Sequence, residues 1–138
     1  MTGKVASILA FLLTMSSAAR GHAEHEVYYR YVVLGYVRDG SGLERAGVQI
    51  ELVRDKTGFS YLGETDVTGL YVIVARLGDE SAGERLTLRA ASEPISIVVR
   101  FDPKDHTRDR GTRVDFLGKR SVETPAAFAA TLREFLAR

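Results

Sequence analysis

Leu34 to Val74 reads LGYVRDGSGLERAGVQIELVRDKTGFSYLGETDVTGLYVIV. Short apolar runs alternate there with Asp/Gly turns at near-regular spacing, the pattern of an antiparallel β-sandwich. Asp39-Gly40 and Ser41-Gly42 supply residues that accept positive φ, so the chain can reverse. Asp66 stands where its carboxylate can bond the amides of the Val67-Thr68-Gly69 turn. A period of two puts Tyr71 and Ile73 on one face of a strand, and Val72 and Val74 on the other. These residues read as turn and core rather than as chemistry.

Working outward, Val27 to Asp39 forms a long first strand carrying four tyrosines. Val48, Ile50 and Leu52 alternate with polar residues and predict a second strand with one buried face. Phe59 to Glu64 is a short third strand. Leu70 to Leu77 is nearly continuous apolar and is expected at the centre of a sheet. Leu86, Leu88 and Ala90 alternate next. Pro94 lacks an N–H and belongs at an edge or at the start of a strand. Ile95, Ile97, Val99 and Phe101 follow. Asp102 to Gly111 is a charged loop, and Thr112 to Leu117 closes the sheet with Val114 and Phe116 inward.

The same residues carry a family resemblance. Gly35-Tyr36-Val37-Arg38-Asp39, Gly42 and Ala46-Gly47-Val48-Gln49-Ile50 resemble the opening of carboxypeptidase regulatory-like domains. Thr65-Asp66 with Gly69-Leu70-Tyr71-Val72-Ile73 is similar to that family's T-D-x-x-G-x-Y-x-I. The resemblance covers about 40 residues, extends loosely to Phe116, and implies an all-β fold. That fold would be a seven-stranded antiparallel prealbumin-like (transthyretin-like) sandwich, with residues 24–118 as the domain. Two enzyme families also resemble the fold. Intradiol dioxygenases open with a similar strand pair and then supply two Tyr and two His for iron, but no such cluster follows Tyr71. Hydroxyisourate hydrolases end in a Tyr-Arg-Gly-Ser-type tail, whereas this chain has Phe135-Leu136-Ala137-Arg138. The expectation is therefore a module that is not an enzyme and has no cofactor.

The amino terminus sets the compartment. Lys4, the apolar run Val5 to Met15 and the small residues Ser16 to Ala19 make residues 1–23 a secretory signal peptide. The run is shorter than the roughly 20 residues that span a bilayer, so no stable membrane span is expected after cleavage. Cleavage after Ala23 is preferred over cleavage after Ala19. Residues 1–23 hold two basic residues and no acid, so cleavage takes the net charge from +1 to −1. That balance offers no surplus of positive charge for nucleic acid. The chain has no Cys, and so no disulfide. It has no Asn, which excludes N-glycosylation, and no Trp for stacking on sugars.

Residues 119–138 read as a linker and a helix. Thr124 can cap it and Pro125 suits its first position. Phe128, Leu132, Phe135 and Leu136 form an apolar stripe on a helix of about 13 residues, which is marginal alone in water. The stripe must lie on the sandwich or on a partner. Tyr28, Tyr29, Tyr31 and Tyr36 on the first strand are further binding candidates, with Tyr28 and Tyr36 on one face. The weak metal candidates are His25 and His106. Cleavage after Ala23 would leave a free amino terminus one residue before His25, able to hold Cu(II) through nitrogen ligands. His106 lies among loop carboxylates. The reading is a periplasmic or secreted non-catalytic module for protein interaction or accessory binding in a cell-envelope system, with an unidentified envelope protein as its partner. The alternative is a small copper or ligand carrier using the mature amino terminus.

Overall fold

A computed structural model describes residues 29–91 and 93–138. The expected signal peptide, Tyr28 and His25 lie outside the described residues. Eight strands form two four-stranded sheets packed face to face. Sheet I has the order β4-β1-β7-β8, from β4 (Leu70–Arg76), β1 (Arg30–Arg38), β7 (Gly111–Leu117) and β8 (Arg120–Glu123). Sheet II has the order β3-β2-β5-β6, from β3 (Phe59–Glu64), β2 (Gln49–Arg54), β5 (Arg85–Arg89) and β6 (Ile95–Val98). A helix, α1 (Phe128–Leu136), follows a 3-10 turn at Pro125–Ala127. No helix among the described residues is long and apolar enough to cross a membrane.

The β-sandwich and the single carboxy-terminal helix match the sequence reading; the seven antiparallel strands do not. The eighth strand is β8, which pairs with β7 through a two-residue turn at Gly118-Lys119. Gly118 has φ +59°, the conformation that Gly supplies at the first turn position of a type II′ hairpin. β8 contains one apolar residue, Val122, and so carries no pattern to read. Sheet I is mixed because β1 and β7 run parallel. Strand direction leaves no trace in hydropathy, since either direction alternates with period two.

The central strand is also not the expected one. β4 is an edge of sheet I and β1 lies inside it. β1 is buried from Tyr31 to Gly35 because both of its faces are covered. Tyr31, Val33 and Val37 face sheet II and meet Ile50, Leu52, Leu86, Leu88 and Ile97 there. Val32 and Leu34 face outward and are covered by Phe128 and Leu132 of α1. Each fully buried Leu, Ile or Phe contributes about 1.5–3 kcal/mol relative to exposure. Pro94 does precede β6, and β6 is an edge strand.

The β1–β7 ladder is interrupted at one point. Val32 N–H donates to Arg110 C=O at 2.8 Å, and the parallel register holds to Leu34↔Arg113. At the next step Tyr36 N–H donates instead to Asp115 Oδ1 at 2.9 Å. The carbonyl of Val114 tilts over Gly35, where any Cβ would collide with it. It accepts the Tyr71 hydroxyl at 2.6 Å. Tyr71 stands directly opposite Gly35 on β4, so its ring passes across β1 through the space that Gly35 leaves. Pairing resumes at Val37↔Phe116. Burial, then the negative Asp115, push the Tyr71 phenol well above its ordinary pKa, so it stays a donor.

Tyr71→Phe keeps the ring and removes the donor, leaving the Val114 carbonyl buried without that partner. The expected loss is about 1–3 kcal/mol. It should appear as a lower denaturant midpoint with an unchanged m-value.

Candidate functional site

The carboxy-terminal helix is part of the fold. Phe128 is 5 % exposed and Leu132 8 % exposed, both against Val32 and Leu34. The stripe faces its own sheet, so neither residue is available to a partner. Phe135 is half-buried on the same cluster, and Leu136 points to solvent. The helix is shorter than expected, because Pro125–Ala127 wind as a 3-10 turn and Thr124 makes no side-chain cap. A buried Thr131 replaces the cap as the polar anchor. Its hydroxyl donates to Ala127 C=O at 2.8 Å and accepts from Arg113 at 2.9 Å.

Tyr36 belongs to that same polar system. Its ring lies between the guanidinium groups of Arg38 and Arg113, at 5.4 and 5.3 Å. Arg113 also grips Asp115 at 3.0 Å. Asp115, which receives the Tyr36 amide, therefore ties β1 through Arg113 to α1. The Tyr36 ring is half-buried packing material.

His106 pairs with Asp79 at 2.9 Å, and Arg110 approaches the other oxygen of Asp79 at 2.9 Å. The Arg110 side chain is buried and stacks 3.8 Å above the Phe101 ring. This cluster pins the 102–110 loop to the 3-10 turn Asp79–Ser81. Among the described residues no group of three or more His, Cys, Asp or Glu side chains could hold a metal ion. The interleaved loop charges resolve into local turns: Asp39, Asp66 and Asp105 each accept from the amide and hydroxyl of the Ser or Thr two residues on.

Three exposed apolar side chains, Phe59, Leu62 and Val74, lie on the flank where the edge strands β3 and β4 meet. The two edges approach each other at Gly63, where a Cβ would sit 2.7 Å from Ile73 Cγ1. Toward the other end they diverge and leave an open groove. Tyr61 forms its floor, with its hydroxyl 3.5 Å from Arg76 C=O. Phe59 and Val74 form its apolar walls, 59 % and 47 % exposed. Phe59 packs edge-on against Tyr61 at 4.9 Å. Arg54 and Arg76 rim the groove, and among the described residues no carboxylate lines it. Leu62, on the other face of β3, is 77 % exposed. The sequence marked Phe59–Glu64 as a strand but gave no sign that it would be an edge, and these residues were not among the candidates.

Arg54 is fixed by Glu84 through two bonds of 2.8 and 2.6 Å, with both side chains largely buried. Those bonds hold the Glu84 carboxyl below the ordinary glutamate range, against the opposing effect of desolvation.

No protein-family model matches the chain, and no curated protein matches its sequence. Among solved structures it is similar to chlorocatechol 1,2-dioxygenase from Pseudomonas putida, at 14 % identity and TM-score 0.47. That match covers 70 % of this chain and 63 % of the dioxygenase, so the chain spans less than two thirds of that enzyme. It is also similar to the dioxygenase domain of a dioxygenase–carbohydrate-binding protein fusion from Streptomyces sp. SirexAA-E. There the identity is 15 %, the TM-score 0.44, and the coverage 68 % and 82 %. Likeness at this level carries no activity across to this chain.

A folded-state pKa below the unfolded one stabilises the protein fully above the unfolded value, about 4.3 for Glu, and ceases to do so as pH falls through the folded value. Melting temperature should therefore fall on acidification partly through Glu84. Glu84→Gln should lower it at neutral pH and flatten its decline below about pH 4. On the helix, Phe128→Ala should cost about 3–5 kcal/mol, measured by chemical unfolding, because Phe128 fills the core under α1.

Proposed function

We propose that this protein is a periplasmic or secreted, non-catalytic β-sandwich module for protein interaction in a cell-envelope system, and that it binds through the β3–β4 flank. One observation carries this reading: Phe59, Leu62 and Val74 are exposed on adjoining edges of the two sheets. Apolar side chains gathered beside an open strand edge favour association over solvation. The proposed family is that of carboxypeptidase regulatory-like domains, on the strength of Gly35–Asp39, Ala46–Ile50 and Thr65–Ile73. Compartment rests on residues 1–23, whose charge, apolar run and small flank suit export.

Phe59→Ser combined with Val74→Ser tests the surface. Both residues are exposed, so the double change should cost no more than about 2 kcal/mol, including the Phe59–Tyr61 ring contact, and leave the protein folded. A protein captured by the wild-type chain from its own envelope extract should be lost from the variant. Capture by both chains alike would place binding elsewhere. Mass spectrometry of the exported chain should find Glu24 at its amino terminus.

A further inference from the structure

The groove has a chemical bias that apolar exposure does not explain. Leu77 N–H donates to Tyr29 C=O on β1, and Gly69 C=O accepts from Val37 N–H on β1. In an antiparallel pair these directions alternate along the strand. Val72, Val74 and Arg76 therefore turn their backbone N–H and C=O groups away from β1, toward the edge of the sheet. β3 covers that edge near Val72, where the site of a Gly63 Cβ is 3.8 Å from Val72 C=O. Beyond it, the edge at Val74 and Arg76 opens into the groove.

Arg76 also stands directly opposite Arg30, and Val74 opposite Val32. Val32 N–H points to β7, so these even-numbered pairs are of the non-hydrogen-bonded kind, in which side chains approach most closely. Like charges directly opposite one another destabilise a sheet. Neither arginine forms an ion pair with a carboxylate among the described residues. Two guanidinium groups, with no carboxylate paired to them among the described residues, thus share the outer face of an open edge, beside apolar side chains on its inner side.

We infer that this edge takes an extended, acidic segment of a partner protein as an added strand alongside β4. The inference rests on the interaction reading and deepens it. A strand laid there would pair with the outward-turned Val74 N–H and C=O and the Arg76 N–H, and would take the Arg76 C=O from the Tyr61 hydroxyl that now donates to it. With period two, its outward side chains would lie beside Val74 and Arg76, with Arg30 one strand further across the same face, and its inward ones would meet Phe59 and Tyr61. Carboxylates outward and apolar side chains inward match both faces. A second copy of this chain fits poorly, because edge-to-edge contact would gather the Arg30–Arg76 pairs of both copies. A small anion could neutralise the arginines but would leave the Val74 backbone groups without the pairing a strand supplies.

The probes are two capped seven-residue peptides, one alternating Glu and Val, the other Lys and Val. Each is titrated into the isotopically labelled, full exported chain at low salt and followed by amide NMR. The Glu/Val peptide should shift the Val74 and Arg76 amide signals and slow their exchange. It should bind about tenfold more tightly than the Lys/Val peptide, a ratio equivalent to roughly 1.4 kcal/mol. Arg76→Gln should reduce that preference while leaving the melting temperature unchanged or raised. Equal binding of both peptides at Val74 and Arg76 would overturn the acidic preference and leave the flank as an interaction surface. No response at these amides to either peptide would overturn the added strand, and the Phe59/Val74 variant would then judge the interaction reading alone. Shifts that depend on protein concentration without peptide would assign the edge to a second copy and overturn the inference.

Discussion

The contact between Tyr71 and the Val114 carbonyl ties β4 to β7 directly across β1. Gly35 lies between them and has no side chain. That absence lets the phenol cross β1 and lets the β7 carbonyl tilt toward it. The hydrogen bond lost from the ladder is replaced twice, by Tyr71 on one side and by Asp115 on the other. A buried carbonyl and a part-buried amide would otherwise be left without partners, at a cost comparable to a whole stabilising contact. Asp115 then needs Arg113, and Arg113 reaches Thr131 on the helix. The helix, seated by Phe128 and Leu132 on Val32 and Leu34, is thereby also tied to the break in the strand ladder.

This arrangement explains why the exposed surfaces are where they are. With α1 seated over Val32 and Leu34, the outer face of sheet I is covered at its centre but not at its β4 edge. Sheet II keeps its outer face in water, with polar residues such as Gln49, Glu51 and Arg89 on it. The two sheets close against each other at Gly63 and separate toward Phe59. The groove is what remains between twisted sheets whose edges touch at one end.

Much of the fold was legible in the residues. The Asp39 and Asp66 turns follow from a carboxylate two residues before a hydroxyl, a purely local interaction. The inward faces of β2, β4 and β7 follow from period-two alternation. β8 was not legible, because a four-residue strand with one apolar side chain has no periodicity to detect. The apolar run in β4 pointed to a central strand, yet β1 took that place once the helix covered its second face. The functional surface was less legible still. Phe128 and Leu132 attract attention as an amphipathic stripe, but an apolar stripe states only that something covers it. The sandwich does so.

By itself the sequence determined the turns, the alternation of buried and exposed positions, the sandwich and the presence of one helix. All of these depend on neighbours within a few residues or on a repeating period. Only the tertiary structure decided which strands became edges, which way β7 runs beside β1, and what the helix covers. It also decided that Arg30 and Arg76 face each other near Phe59 and Val74, with no carboxylate paired to either arginine among the described residues. Those outcomes depend on residues brought together from distant parts of the chain, and alternation alone does not record which strand lies next to which.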